Sequence, residues 1–427
     1  MQTRINPPRE EWKRLCLRPS LARGVLDETI GAVFEQVKQG GDSALYALTE
    51  LYDGVKLTDV KVPLRGEAEE SSSLDSDLKQ AIDMAYQNIY RFHATQAEYA
   101  TRRVETQPGV VCWQEVRAIE RVGLYVPGGS APLVSTMLML GVPAQIAGCR
   151  EVVVCTPPSL KGTINAAIRY AAAKCGLNQL YMVGGAQAIA AMALGTETVP
   201  RVDKLFGPGN QYVTAAKNYA ERYGVAKDMP AGPSEVLVLA DDTARPDFVA
   251  ADLLSQAEHG PDSQVVLVTT SRRLQNEVKK ELFRQMCLLE RSEIAAQALK
   301  QSLSVWFPDI EQAVAFANTY APEHWIMQVT EAEAWANRVQ NAGSVFIGSY
   351  TPESAGDYAS GTNHTLPTAG WAKTNSGVSV ASFQKTISFQ SISPIGLQAI
   401  APAILPLAVA EGLTAHARAV SIRLDNL

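Results

Sequence analysis

The chain has only five histidines in 427 residues, and four of them stand in settings suited to metal ligation or proton transfer. The segment Pro246-Asp-Phe-Val-Ala-Ala-Asp-Leu-Leu-Ser-Gln-Ala-Glu-His-Gly-Pro261 puts Asp252, Ser255, Gln256 and His259 on one helical stripe, with Val249, Leu253 and Ala257 on another. Pro246 suits the helix start, and Gly260-Pro261 ends it just after His259. A solvated face is the ordinary explanation of a polar stripe. Gln256 and His259, however, lie one turn apart and could reach a single ion. Pro322-Glu323-His324-Trp325 sets an acid beside a base, with a tryptophan to exclude water. Near neutral pH such a pair can divide proton tasks, because the glutamate is ionised and the histidine poised. The glycine-rich stretch Pro352 to His364 carries Asp357 and His364 on what reads as a loop, the usual home of functional groups. Glu411 and His416 close the apolar C-terminal segment. On a continuous helix their side chains would diverge by about 140°, so both could face one site only across its rim.

Taken singly, each of these histidines is more often a satisfied structural residue than a ligand. Together the four point to one site. Imidazole, carboxylate and amide oxygen donors, with no thiolate in these segments, suit Zn²⁺. His93, in Arg91-Phe-His-Ala, has no comparable context and is expected on a helix surface.

The elements that must position these groups are legible in outline. Residues 25–100 are helical in period, with Ile30, Val33, Phe34 and Val37 on one face. From about residue 121, short β-rich runs (GLYV, EVVVC, QLYMV, KLF, EVLVLA) alternate with helices expected near 132–148, 161–175, 186–195 and 210–223. A second alternation from 247 onward contains QVVLVTT, SVWF and SVFIG. Such grammar denotes parallel strands with crossover helices, hence two α/β units. Tyr125-Val-Pro-Gly-Gly-Ser-Ala-Pro132, Gly184-Gly185-Ala-Gln187 and Gly207-Pro-Gly-Asn210 follow strands of the first unit. Ligands bind beyond the carboxyl ends of such strands, where glycines and helix N-termini receive phosphate. No GxGxxG followed by an acid some 20 residues on is present, so plain tight turns remain a rival explanation.

Composition bounds the function. Hydrophobic residues make up 46% and charged residues 19%, as in globular proteins, and the net charge of −6 argues against nucleic-acid or anionic-membrane partners. The six cysteines contain no CxxC and are expected to be buried free thiols. MQTRINPPREEWKR lacks an apolar h-region, so a cytoplasmic location is expected. Val122–Cys149 and Thr386–Ala410 are uncharged and long enough to span a bilayer, but prolines interrupt both.

The blocks VGLYVPGGSAPL, VGGAQAIAA, FGPGN, DMPAGPSEVL, SQAEHGPDSQV, YAPEHW, ESAGDYASGTNH and LTAH, ordered from about residue 10 to the end, resemble the histidinol dehydrogenase family. The resemblance implies an NAD-linked, zinc-requiring oxidation of L-histidinol through L-histidinal to L-histidine, in two hydride transfers. It implies zinc, one per subunit, held by Gln256, His259 and Asp357 of one subunit and His416 of the other, in a homodimer. It makes His324 the general base and Glu323 the activator of water. Ser234, Gln256, His259, His324, Asp357, His364, Glu411 and His416 would contact substrate, and Tyr125, Gln187 and Asn210 would contact NAD. The fold expected is α/β, with two incomplete Rossmann-like domains, a helical N-terminal segment and a C-terminal arm exchanged between subunits. The expected division is an N-terminal arm 1–24, a first α/β domain of 25–120 plus 235–378, an inserted NAD-binding domain 121–234 and a dimerisation arm 379–427. A relative acting on another small alcohol, such as a sulfonated diol, and a zinc hydrolase are the rival readings.

Overall fold

The computed structural model describes residues 1–18, 23–97, 102–128, 132–230 and 232–427. Among these the strands, in chain order, are β1 (Gln2–Ile5), β2 (Lys61–Pro63), β3 (Val104–Gln107), β4 (Val110–Ala118), β5 (Arg121–Tyr125), β6 (Glu151–Thr156), β7 (Gln179–Met182), β8 (Lys204–Phe206), β9 (Ala226–Lys227), β10 (Glu235–Ala240), β11 (Gln264–Thr269), β12 (Leu303–Trp306), β13 (His324–Gln328), β14 (Ser344–Ile347) and β15 (Gln384–Ile392). They form a sheet ordered β2-β7-β6-β5-β8-β9, a second ordered β1-β12-β11-β10-β13-β14, and a three-stranded antiparallel sheet β15-β4-β3.

The two larger sheets repeat one topology. β5, β6 and β7 run outward on one side and β8, β9 on the other, all parallel, and β10 to β14 do the same. This is the strand order of half-complete dinucleotide-binding folds, with the connection reversing direction between β5 and β8 and again between β10 and β13. Strands covered on both faces need apolar side chains throughout. Glu235–Ala240 and Gln264–Thr269 are accordingly buried at every residue.

The expected helices at 132–148, 161–175, 186–195 and 210–223 are found as Val134–Ala147, Ala166–Lys174, Gly185–Leu194 and Gln211–Ala220. The expected domain boundaries need correction. The helical segment Arg23–Asp53, kinked at Gly41, packs on Gly185–Leu194 and Gln211–Ala220, while Ser76–Ala94 packs on Val134–Ala147. β2 pairs with β7. Residues 25–97 therefore build the first sheet's layers and do not join 235–378. Nor is 1–24 a free arm: β1 extends the second sheet beside β12, and Trp12 packs edge-on against Phe307 and Phe316. At the other end, Val380 and Phe383 sit in the first unit's core, so only the chain from β15 onward leaves the body.

That segment is held by β15, whose nine residues pair with β4, and continues as the helices Pro394–Ala410 and Thr414–Leu424, which pack on each other. The last helix buries none of its residues, and Ile395, Leu407, Val409, Leu413 and Ile422 are exposed. No helix among the described residues is long and apolar enough to cross a membrane. All six cysteines are free, but only Cys155 and Cys175 are buried; Cys16, Cys112 and Cys149 are half-buried and Cys287 is exposed.

Trp12 also donates from Nε1 to the carbonyl of Pro7 at 2.9 Å, so one side chain fastens the N-terminal segment to the second unit. Trp12→Ala is expected to cost about 3–5 kcal/mol in urea unfolding. An unchanged midpoint would show that the segment does not contribute to the fold's stability.

Candidate active site

The acid and base groups gather at the amino edge of the second sheet, where β10 and β13 begin. Val236 stands beside His324 in the register, so Glu235 and Glu323 both lie one residue outside the ladder. β13 was not apparent in the sequence, yet all five of its residues are buried. Alternation along it sends His324, Ile326 and Gln328 toward the helix Pro246–Ala257, and Trp325 and Met327 toward Ile310–Tyr320. The polar stripe of Pro246–Ala257 thus faces inward. Asp252 and Gln256 are buried, contrary to a solvated face, and Asp252 accepts from Gln328 Nε2 at 2.7 Å.

His324 is surrounded by carboxyl groups. Its Nδ1 lies 3.2 Å from the carbonyl oxygen of Glu235, 3.4 Å from Glu353 Oε1 and 3.7 Å from Glu323 Oε2, and its Nε2 lies 3.7 Å from Asp357 Oδ1. A carbonyl can only accept, so the proton sits on Nδ1 and the Nε2 lone pair is left free. That Nε2 is buried and has no hydrogen-bond partner. Glu323 Oε2 accepts from the backbone N–H of Glu235 at 2.9 Å.

Glu353, which sequence reasoning missed, is the first residue of the helix Glu353–Tyr358. It is 1% exposed, and neither of its carboxyl oxygens has a partner. Its spacing of four from Asp357 puts both on one helix face, which was a readable signal. One ligand atom each from His259, Glu353 and Asp357 lies within 4.8 Å of the others, with His259 solvent-accessible. Gln256 is fully buried with both amide atoms unpartnered. Burial raises Glu323 and Glu353 well above the usual carboxylate range and Asp357 and Asp252 to about 7, and it lowers His324 to about 3 and His364 to about 4. Unpartnered buried donors and acceptors are costly. A divalent cation bound by nitrogen and oxygen donors fits this set, because it would satisfy Gln256 and let the carboxyls ionise.

Of the other expected residues, His364 joins the cluster and the rest are dispersed. His364 receives its orientation from the Asp357 carbonyl, which accepts from Nδ1 at 3.0 Å, and its Nε2 accepts from Thr136 Oγ1 of the first unit at 3.2 Å. Ser234 immediately precedes β10 and is half-buried. Glu411 and His416 are not brought to the cluster by their own chain. Both are exposed on the final helix pair, and Glu411 and Gly412 end one helix before Thr414 starts the next, so no continuous helix relates them.

In the first unit, Tyr125 ends β5 and its hydroxyl accepts from the N–H of Gly185 at 3.1 Å. Buried Gln187 donates to Asp53 at 3.4 Å, and Asn210 Oδ1 caps its helix by accepting from Tyr212 and Val213. The Gly207 peptide is held from both sides by a buried pair. Lys217 donates to its carbonyl, its N–H donates to Asp228, and Lys217 and Asp228 bond each other. Gly207 has φ of 128°, and a Cβ there would meet the Tyr125 carbonyl oxygen at 2.2 Å. At the end of β6 the Thr156 hydroxyl is buried without a partner. These loops surround the point where strand order reverses, and an orphaned hydroxyl with two open helix N-termini fits a phosphate-bearing dinucleotide. Gly129 to Ala131 of the first glycine loop lie outside the described residues.

The histidinol dehydrogenase family profile matches residues 17–424. The chain belongs to the histidinol dehydrogenase family. It is 52% identical over 421 residues to histidinol dehydrogenase of Bacteroides thetaiotaomicron, covering 99% of this chain and 98% of that protein, and 51% identical over 421 residues to that of Vibrio parahaemolyticus, covering 98% and 96%. The crystal structure of histidinol dehydrogenase from Elizabethkingia anophelis superposes with a TM-score of 0.96 at 52% identity, covering 100% of this chain and 98% of that one. An acetylating aldehyde dehydrogenase from Geobacillus thermoglucosidasius, at 14% identity and TM-score 0.50, shares the fold alone. As a family member the chain is an oxidoreductase.

His93, expected on a helix surface, is fully buried. It follows Ile82, Ala85 and Ile89 on the apolar stripe of Ser76–Ala94. Its Nδ1 donates to the Ile89 carbonyl at 2.9 Å and its Nε2 accepts from Asn363 at 3.4 Å, while Asn363 also donates to the Met139 carbonyl at 2.6 Å. His93 thereby steadies the loop that carries His364. Burial lowers its pKa. The unfolded chain therefore takes up this proton first, so the stabilisation is complete above about pH 6.5 and is lost as pH falls. His93→Gln is expected to flatten the decline in unfolding free energy below pH 6.5, by up to about 1.4 kcal/mol per pH unit. Parallel curves for variant and wild type would contradict this.

Proposed function

We propose that this chain oxidises L-histidinol through L-histidinal to L-histidine in the cytoplasm, reducing two NAD per histidinol and holding one zinc ion per subunit, as the last steps of histidine biosynthesis. The observation that carries the reading is the Glu323-His324 pair itself: a buried imidazole with a free Nε2 beside a cluster of metal-type donors. Family membership supplies the substrate class.

When bound, NAD would supply the hydride acceptor for each oxidation, and zinc would supply a Lewis-acid anchor for the substrate. Gln256, His259 and Asp357 would hold the ion, with His416 of a second copy as the fourth ligand. Glu353 lies close enough to orient or join them. Ser234, His364 and Glu411 would hold substrate, and Tyr125, Gln187 and Asn210 would hold NAD. His324 takes the hydroxyl proton at Nε2 as the first hydride leaves, a contribution of about 10²–10⁴ in rate. Its proton on Nδ1, donated to the Glu235 carbonyl, keeps the lone pair aimed at substrate. The aldehyde must then gain water before the second hydride leaves. Glu323 holds that water and takes its proton, and burial, which raises the pKa of this carboxyl, makes it a stronger base than an exposed glutamate.

Homodimer formation completes the reading. The final helix pair presents apolar residues together with Glu411 and His416, none of which its own chain uses. An arm of this kind suits exchange between subunits.

The test is to follow NADH at saturating NAD with limiting histidinol, with and without a chelator. Two NADH per histidinol, abolished by the chelator and restored by zinc, is the expected outcome. One NADH per molecule would mean a simple alcohol dehydrogenase. Turnover of amides without NADH would mean a zinc hydrolase.

A further inference from the structure

The side chains of Glu235 and Arg18 lie behind the site, and neither side chain has a part in the chemistry described above. Glu235 opens β10, and its side chain follows the alternation of Leu237 and Leu239, away from the face that His324 shares with Ile326. Its backbone nevertheless touches both members of the acid–base pair. The N–H donates to Glu323 Oε2 at 2.9 Å, and the carbonyl accepts from His324 Nδ1 at 3.2 Å. One residue's two peptide groups therefore set the direction of the base and of the carboxyl that handles water.

On one side that backbone is held by strand pairing, Glu235 standing opposite Gln264 of β11 and the Gln264 N–H donating to the Ser234 carbonyl at 3.2 Å. Residues 232–234 precede it without regular structure, and strand pairing with β13 begins only at Val236. On the β13 side, toward Glu323 and His324, the side chain supplies the remaining hold. The Glu235 carboxylate is 1% exposed and is gripped by Arg18, whose Nε and Nη2 donate to its two oxygens at 2.7 and 2.9 Å. The same guanidinium donates to the carbonyls of Cys16 at 2.7 Å and Tyr320 at 2.8 Å and lies 3.5 Å over the Tyr320 ring. Tyr320 and Ala321 form the turn that delivers Glu323 and His324, and Ala321 holds a left-handed conformation at φ 54°. Arg18 thus ties together the two chain segments, the start of β10 and the approach to β13, whose relative position decides where the pair points. A planar, bidentate fork does this in a way that a lysine cannot.

We infer that Arg18 and Glu235 form a positioning pair for the reaction, aligning Glu323 and His324 through the Glu235 peptide from the far side of the sheet. The inference rests on the assignment of His324 as base and Glu323 as the water-handling carboxyl. It is independent of which residues bind metal or NAD.

The experiment compares Glu235→Gln and Arg18→Lys with wild type, each first shown to be folded by its thermal transition. Two variants are needed because either may be lost to misfolding; Arg18→Lys keeps the charge and Glu235→Gln keeps the shape. The readouts are kcat and KM for histidinol and equilibrium zinc binding. Small displacements of reacting groups cost about 10- to 100-fold in rate. The expected result is a fall in kcat of that size, with KM and zinc affinity within about two-fold of wild type, the pattern of a loss felt only in the transition state. An unchanged kcat would overturn the inference. So would a parallel loss of kcat, substrate affinity, zinc binding and thermal stability, which is what a merely structural pair would give. His324→Ala and Glu323→Gln serve as controls. If they keep full kcat, the assignment of base and water-handling carboxyl is wrong; if they lose it while the Arg18 and Glu235 variants do not, only the positioning role fails.

Discussion

The structure turns on a buried acidic cluster that its own residues do not neutralise. Glu323, Glu353 and Asp357 crowd around His324, and the charges that reach Glu353 come from Asp357, Glu323 and Asp252, all of one sign. Apolar strands and helices pack behind the cluster and leave it open only on the side of His259 and Asp357, so water screens it poorly. Burying ionised groups without partners is prohibitively costly, and the carboxyls respond by holding their protons. Such a cavity is a poor contributor to stability and a good receptor for a cation, because the ion supplies the charge the chain withholds.

The remaining architecture serves that cavity from several directions. The second sheet contributes its amino edge, whereas the first contributes the glycine loops at its carboxyl edge. The two are tied where His364 meets Thr136 and Asn363 meets Met139 and His93. The buried Lys217–Asp228 pair fixes the Gly207 peptide in the first unit, and the Arg18–Glu235 pair fixes the Glu235 peptide in the second. Both twin folds thus use a buried ion pair to hold backbone near a proposed ligand. Removing one member of such a pair leaves the other buried without its counter-charge, which is destabilising.

Much of this was legible in the sequence, and the gaps have physical causes. Long apolar runs such as QVVLVTT and EVLVLA marked central parallel strands, and the helices between them fell within a few residues of expectation. β13 escaped because its first residue is the polar His324 and a proline and a glutamate precede it, so these residues displaced the usual strand pattern. The inward stripe of Asp252 and Gln256 looked like a solvated face because period reports which residues share a face, not which face is inside. His93 was misjudged for the opposite reason: its place on the Ile82, Ala85, Ile89 stripe outweighs its polarity. Domain boundaries failed because helices pack on sheets distant in sequence, and β1 and β2 join different sheets. The histidine contexts pointed to one place, and His259, His324 and His364 do lie together beside Asp357, whereas Glu353, Glu235 and Arg18 carry no local motif and become visible only in three dimensions.

The acidic cluster calls for an ion, completed by one ligand drawn from a second chain. Equilibrium dialysis of metal-free protein against zinc tests it most directly, comparing wild type with His416→Ala and His324→Ala. The account predicts one tightly bound zinc per chain in wild type and in His324→Ala, and its loss in His416→Ala, although that histidine is exposed on its own subunit. Full zinc binding by His416→Ala, or its loss in His324→Ala alone, would contradict it.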